Sequence, residues 1–118
     1  MIQTNQEVYD NLIAMLSGEE AATIKPKVKY YLDHYVKELS IVNFSVSVLP
    51  ASAIDRIIFY TKEDKSQFRQ MKFTPDGDVL SVMHFEQTVN DRVGRCLYGL
   101  PRRCIEKINK GDLKWKRY

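Results

Sequence analysis

Apolar residues recur at Val8, Leu12, Met15 and Leu16, the three-and-four spacing of one helical face. Thr4 followed by Glu7 reads as a capping box ahead of that helix, and Gly18 as its stop. A second helix is predicted from Pro26, a residue suited to a first helical turn. Its stripe is Val28, Tyr31, Leu32, Tyr35, Val36 and Leu39, with Lys27, Lys29, Asp33, His34, Lys37 and Glu38 on the other side. The period then falls from about 3.6 to 2. Val42, Phe44, Val46 and Val48 alternate with Asn43, Ser45 and Ser47, as on a half-buried strand. Pro50 and the Ala-Ser-Ala that follows interrupt it.

Residues 56–61, R-I-I-F-Y-T, read as a second strand whose consecutive apolar residues suit a central place. Q-F-R-Q-M-K-F-T and V-L-S-V-M-H-F-E give a third and a fourth, joined through Pro75-Asp76-Gly77-Asp78. Proline presets the first φ of such a turn and glycine accepts the positive φ that follows, so a β-hairpin is predicted over roughly 66–86. After Thr88 and Asp91, a cap-like pair, the spacing of Val89, Val93, Cys96, Leu97 and Leu100 predicts a third helix. Gly99-Leu100-Pro101 breaks it, and a short fourth helix buries Cys104, Ile105 and Ile108 before stopping at Gly111. D-L-K-W-K-R-Y, residues 112–118, is either a fifth, edge strand guarded by lysines or a free basic tail.

The order predicts one α+β domain over residues 1–118, with two N-terminal helices, a four-stranded antiparallel meander sheet and two short C-terminal helices. The helices are expected to cover the Val42/Phe44/Val46/Val48 side, leaving the opposite face semi-polar. No apolar run approaches the ~20 residues that span a bilayer. The opening M-I-Q-T-N-Q-E-V-Y-D lacks the basic start and apolar stretch of a signal peptide. The expectation is therefore a cytoplasmic protein with reduced thiols and no membrane partner.

Charge changes this picture at one end. Residues 92–118 carry nine Lys/Arg against Glu106 and Asp112, a net of +7, whereas the other residues sum to −4. Such asymmetry points to an acidic partner, or to a basic end lying against an acidic body.

The chemistry-bearing residues form no recognisable catalytic pattern. Cys96 and Cys104 are separated by seven residues, longer than the two to four of a zinc knuckle, and His34 and His84 fall on distant elements. Both cysteines lie on apolar helical faces and are expected to be buried thiols. A Cys96–His84 nucleophile–base pair would need spatial adjacency that the sequence does not indicate. Asp55 and Glu63-Asp64-Lys65 imitate a nuclease metal pattern, but an intervening strand would hold the carboxylates ~26 Å apart. There is no phosphate-binding glycine loop, nucleophile elbow or H-E-x-x-H. No metal, cofactor or catalytic residue is assigned, and the chain is not expected to be an enzyme.

What remains is the basic end. Arg92, Arg95, Arg102, Arg103, Lys107, Lys110, Lys114, Trp115, Lys116 and Arg117 are the candidate partner-binding residues. The sequence predicts a protein-binding module, an accessory subunit, adaptor or inhibitor of another macromolecule, and is compatible with a homodimer. The alternative is a nucleic-acid-binding protein using these cations, with Tyr98, Trp115 and Tyr118 for stacking.

Overall fold

A computed structural model describes residues 5–48, 54–87 and 95–111. Helix α1 (Asn5–Leu16) is followed by a single 3-10 turn (Glu19–Ala21) and helix α2 (Pro26–Leu39). Strands β1 (Asn43–Val48), β2 (Ile54–Tyr60), β3 (Gln67–Phe73), β4 (Val79–Glu86) and β5 (Arg95–Gly99) come next, and helix α3 (Arg102–Lys110) closes the order. The strands form one antiparallel sheet in chain order. The architecture is the α+β fold read from the sequence, with three α-helices and five strands. The capping residue Thr4 and the segment 112–118 lie outside the described residues.

Helix α2 buries Val28, Tyr31, Leu32, Tyr35 and Val36, the stripe that its periodicity dictates, and Pro26 opens its first turn. Helix α1 contributes Val8, Leu12 and Leu16 to the same core. The two are tied by the Tyr9 hydroxyl, which donates to Asp33, and Lys37 reaches the same carboxylate at 3.3 Å. Ile57, Phe59, Met71 and Val82 meet these helices from the sheet, with Phe44 and Val46 packed beside them. The predicted alternation of β1 therefore holds through Val46. A bulge between Ser47 and Val48 then turns Val48 out of the core, leaving it 39% exposed.

The opposite face carries no helix among the described residues and is semi-polar in rows set by the register. Ser47, Arg56, Lys72 and Ser81 form one row; Ser45, Ile58, Gln70 and Met83 the next; Asn43, Tyr60, Phe68 and Phe85 the third. In the last row Phe68 stacks on Phe85 at 5.1 Å between ring centroids and is itself buried.

The β3–β4 turn is docked rather than free. Gly77 has φ +86°, and a Cβ there would stand 1.8 Å from the Thr23 carbonyl oxygen. This close approach lets Lys25 N–H donate to the Gly77 carbonyl at 3.1 Å, and Lys25 Nζ reach Asp78 at 2.9 Å. Glycine is needed here both for its left-handed φ and for its missing side chain.

The predicted helix from Thr88 to Leu100 is corrected. Residues 95–99 are β5, paired with β4 through Glu86↔Arg95, Phe85↔Cys96, His84↔Tyr98 and Met83↔Gly99. Residues 88–94 lie outside the described set. Gly94 and Gly99 each weaken a helix by about 1 kcal/mol, and β4 offers a backbone ladder that a helix would leave unpaired. One consequence is that Cys96 is exposed on an edge strand, whereas Cys104 is buried as expected. Among the described residues the C-terminal half thus has one short helix, not two.

Candidate functional site

The structure divides the predicted basic residues. Arg95 begins β5 opposite Glu86, and Arg102, Arg103, Lys107 and Lys110 are exposed on α3, whose other side buries Cys104, Ile105 and Ile108. Arg92, Lys114, Trp115, Lys116 and Arg117 lie outside the described residues. Lys107 and Lys110 sit in the last turn of α3, where the helix dipole favours cations. Arg102 and Arg103 sit in the first turn, where it disfavours them, and no acidic residue in that turn compensates. Arg102 meets Glu106 at 3.5 Å, but with side chains 93% and 58% exposed the pair contributes little. Local helix physics therefore explains the two lysines and not the two arginines.

These arginines stand beside an apolar edge. Every residue of β5 is exposed, Leu97 at 47% and Tyr98 at 51%, and Leu80 on β4 is 58% exposed. Because β5 pairs only with residues 83–86, the start of β4, paired with β3 on one side, has no strand on its other side among the described residues. α3 fills part of that role. The Asn109 amide accepts from Val79 N at 2.7 Å and donates to Val79 O at 3.0 Å, imitating a strand partner. Leu100 N–H donates to Val82 O at 2.9 Å. Between these two anchors lies a groove of about 450 Å³, lined by Leu80, Met83, Leu100, Arg102, Ile105 and Glu106 among others.

A second polar grouping lies on the helix-bearing face. The register aligns Phe59, Arg69, His84 and Tyr98 across β2 to β5. The Arg69 guanidinium carbon is 5.8 Å from the Tyr98 ring centroid, and the His84 and Tyr98 rings meet edge-on at 5.0 Å. Tyr35 of α2 packs edge-on against Phe59 at 6.0 Å. Burial pushes its phenol up to about 12, with the neighbouring Arg69 charge working the other way. The His84 imidazole is held below its ordinary range, first by burial and then by Arg69, while Glu86 pulls it back up. Arg69, His84 and Tyr35 were not among the residues singled out as functional from the sequence. From the sequence, His84 is considered only as a ligand or as a base for Cys96, and Tyr35 is part of an apolar stripe.

The register separates the residues of the considered thiol–imidazole pair. Cys96 is opposite Phe85 and so on the other face of the sheet from His84. Among the described residues no three His, Cys, Asp or Glu side chains converge in a metal-holding group. No helix among them is long and apolar enough to cross a membrane. Searches with the whole chain against protein-family models, curated proteins and solved structures found no match.

Proposed function

We propose that the protein is a non-enzymatic binding module whose β4–β5 edge and α3 take an extended segment of another protein. The carrying observation is the coincidence of an open edge strand, three exposed large apolar side chains and two first-turn arginines that helix physics does not explain. An added strand on β5 would gain main-chain hydrogen bonds, and alternate side chains would read Leu97 and the groove beside Leu80 and Leu100. Arg95, Arg102 and Arg103 would favour acidic residues in that segment and speed its encounter. The buried Ile105 and Ile108 hold α3 in place, so the cations are presented on a fixed support.

The test compares partners cross-linked to the wild-type protein in cell extract with those of two variants, Leu97→Lys and Arg102→Glu/Arg103→Glu. A protein partner recovered by wild type and lost from both supports the reading. Retention of oligonucleotides that falls steeply with salt, vanishes in the double arginine variant and ignores Leu97→Lys would favour nucleic acid instead. Sedimentation of wild type as a dimer that Leu97→Lys dissociates would make the segment a second copy of this chain.

A further inference from the structure

The row Phe59–Arg69–His84–Tyr98 holds a cation that enters no ion pair among the described residues. Arg69 and His84 are each half-buried, and Arg69 Nε, His84 Nδ1 and the Tyr35 hydroxyl are buried without a hydrogen-bond partner. Tyr35, only 9% exposed, forms the inner wall. Tyr98, half exposed on the edge strand, forms the outer one. The ion pairs found among the described residues, Lys25–Asp78, Lys37–Asp33 and Arg102–Glu106, do not include Arg69. Glu86, two positions beyond His84 on the same face of β4, is paired in register with Gln67 and Arg95, lies diagonal to Arg69, and its charge acts on His84.

This arrangement is costly on its own. A half-buried guanidinium needs compensation, and an apolar side chain at such a position is often neutral or stabilising. The same row shows that an apolar residue fits one strand away, at Phe59. Instead the cross-strand neighbour of Arg69 on β4 is a second base, and the Tyr98 ring flanks both. Aromatic faces shield a guanidinium but do not neutralise it. The planar fork of arginine matches the oxygens of a carboxylate or phosphate, and an imidazole beside it adds a further donor once protonated.

We propose that Arg69 and His84, walled by Tyr35 and Tyr98, bind the oxyanion of a small molecule, a phosphate or carboxylate group. Arg69 supplies the charge and the fork, His84 a donor, and Tyr98 the flank through which the ligand enters from the sheet edge. The site shares Tyr98 with the proposed docking edge on β5 but none of the residues that line the groove beside Leu80 and Leu100, and its test uses the protein alone, without that partner.

His34 and His84 are the two histidines of the chain, so their ring protons can be followed separately by NMR. The wild-type protein is titrated with acid in chloride, in inorganic phosphate and in acetate at equal ionic strength. A bound anion adjoining His84 is expected to move its midpoint upward by ~0.5 pH or more, saturably, leaving His34 unchanged. Arg69, Glu86, Tyr35 and Tyr98 all face or act on His84 and are present in every arm. Arg69→Met should abolish the response, Arg69→Lys should weaken the anion about tenfold, and Arg102→Glu/Arg103→Glu should leave it intact. A response to phosphate or to acetate supports the site, the stronger one giving the ligand class. No response to either, or one that survives in Arg69→Met, overturns the proposal. The wild-type titration decides even if the Arg69 variants do not fold.

Discussion

Replacing Tyr35 with Phe removes one oxygen from the interface between α2 and the sheet, and the consequences can be worked out at two pH values. The hydroxyl is buried beside Arg69, and no group meets it in hydrogen-bonding geometry. An unsatisfied buried polar group costs about 1–3 kcal/mol, so Tyr35→Phe should stabilise the protein at neutral pH by ~1 kcal/mol once imperfect repacking is allowed for. The alkaline limb is more specific. The phenol ionises at 10.0 when free and at about 12 in the folded protein. Between those values the unfolded chain has lost the proton and the folded one retains it, so wild-type stability falls as pH rises. The loss approaches 1.36 kcal/mol for each pH step, or about 2 kcal/mol by pH ~11.5. Tyr35→Phe lacks this loss, while the other tyrosines contribute equally to both proteins and cancel in the difference. Urea unfolding at pH 8 and pH ~11.5 measures all four values. The stability gain of the variant should grow from ~1 to ~3 kcal/mol between them. A variant less stable than wild type at pH 8, or a gain that does not change with pH, would refute this account of the buried hydroxyl.

Gly77→Ala should destabilise by ~2–4 kcal/mol in chemical denaturation. The new methyl meets the Thr23 carbonyl and the positive φ disfavours any Cβ, so an unchanged midpoint would contradict the docked turn. Asn109→Ala should cost ~2 kcal/mol and speed hydrogen exchange at the Val79 amide more than at the Leu100 amide, which keeps its bond to the Val82 carbonyl. Equal protection of Val79 in both proteins would show that the amide is not the partner of that strand.

Elements held by local chemistry were readable from the chain. The α2 stripe and the Pro-Asp-Gly-Asp turn each depend on residues within a few positions of one another, and both stand where periodicity and turn preference put them. Even the Arg69–His84 pairing is accessible, since equal steps outward from Asp76-Gly77 bring those two residues opposite each other. β5 was not accessible in this way. Cys96, Leu97 and Leu100 do fall at helical spacing, and what makes residues 95–99 a strand is the unpaired edge of β4, a feature of the assembled sheet. The error carried over to the site. Tyr98 joins Arg69 and His84 only through β5, and Tyr35 reaches them only because α2 lies across that face. For the basic residues the sequence marked α3 correctly as the exposed cationic segment. It took the position of Arg102 and Arg103 at the N-terminal end of α3 to distinguish them from Lys107 and Lys110.

Each strand neighbours only the strands before and after it in the chain, so the sheet can zip up in the order in which the ribosome delivers it. The exception is the first part of β4, whose sealing residue, Asn109, follows Val79 by 30 residues. At ~5–20 residues per second, that edge stays open for on the order of seconds after β4 has emerged. A partner segment complementary to it therefore has its readiest access during synthesis, before α3 arrives to compete.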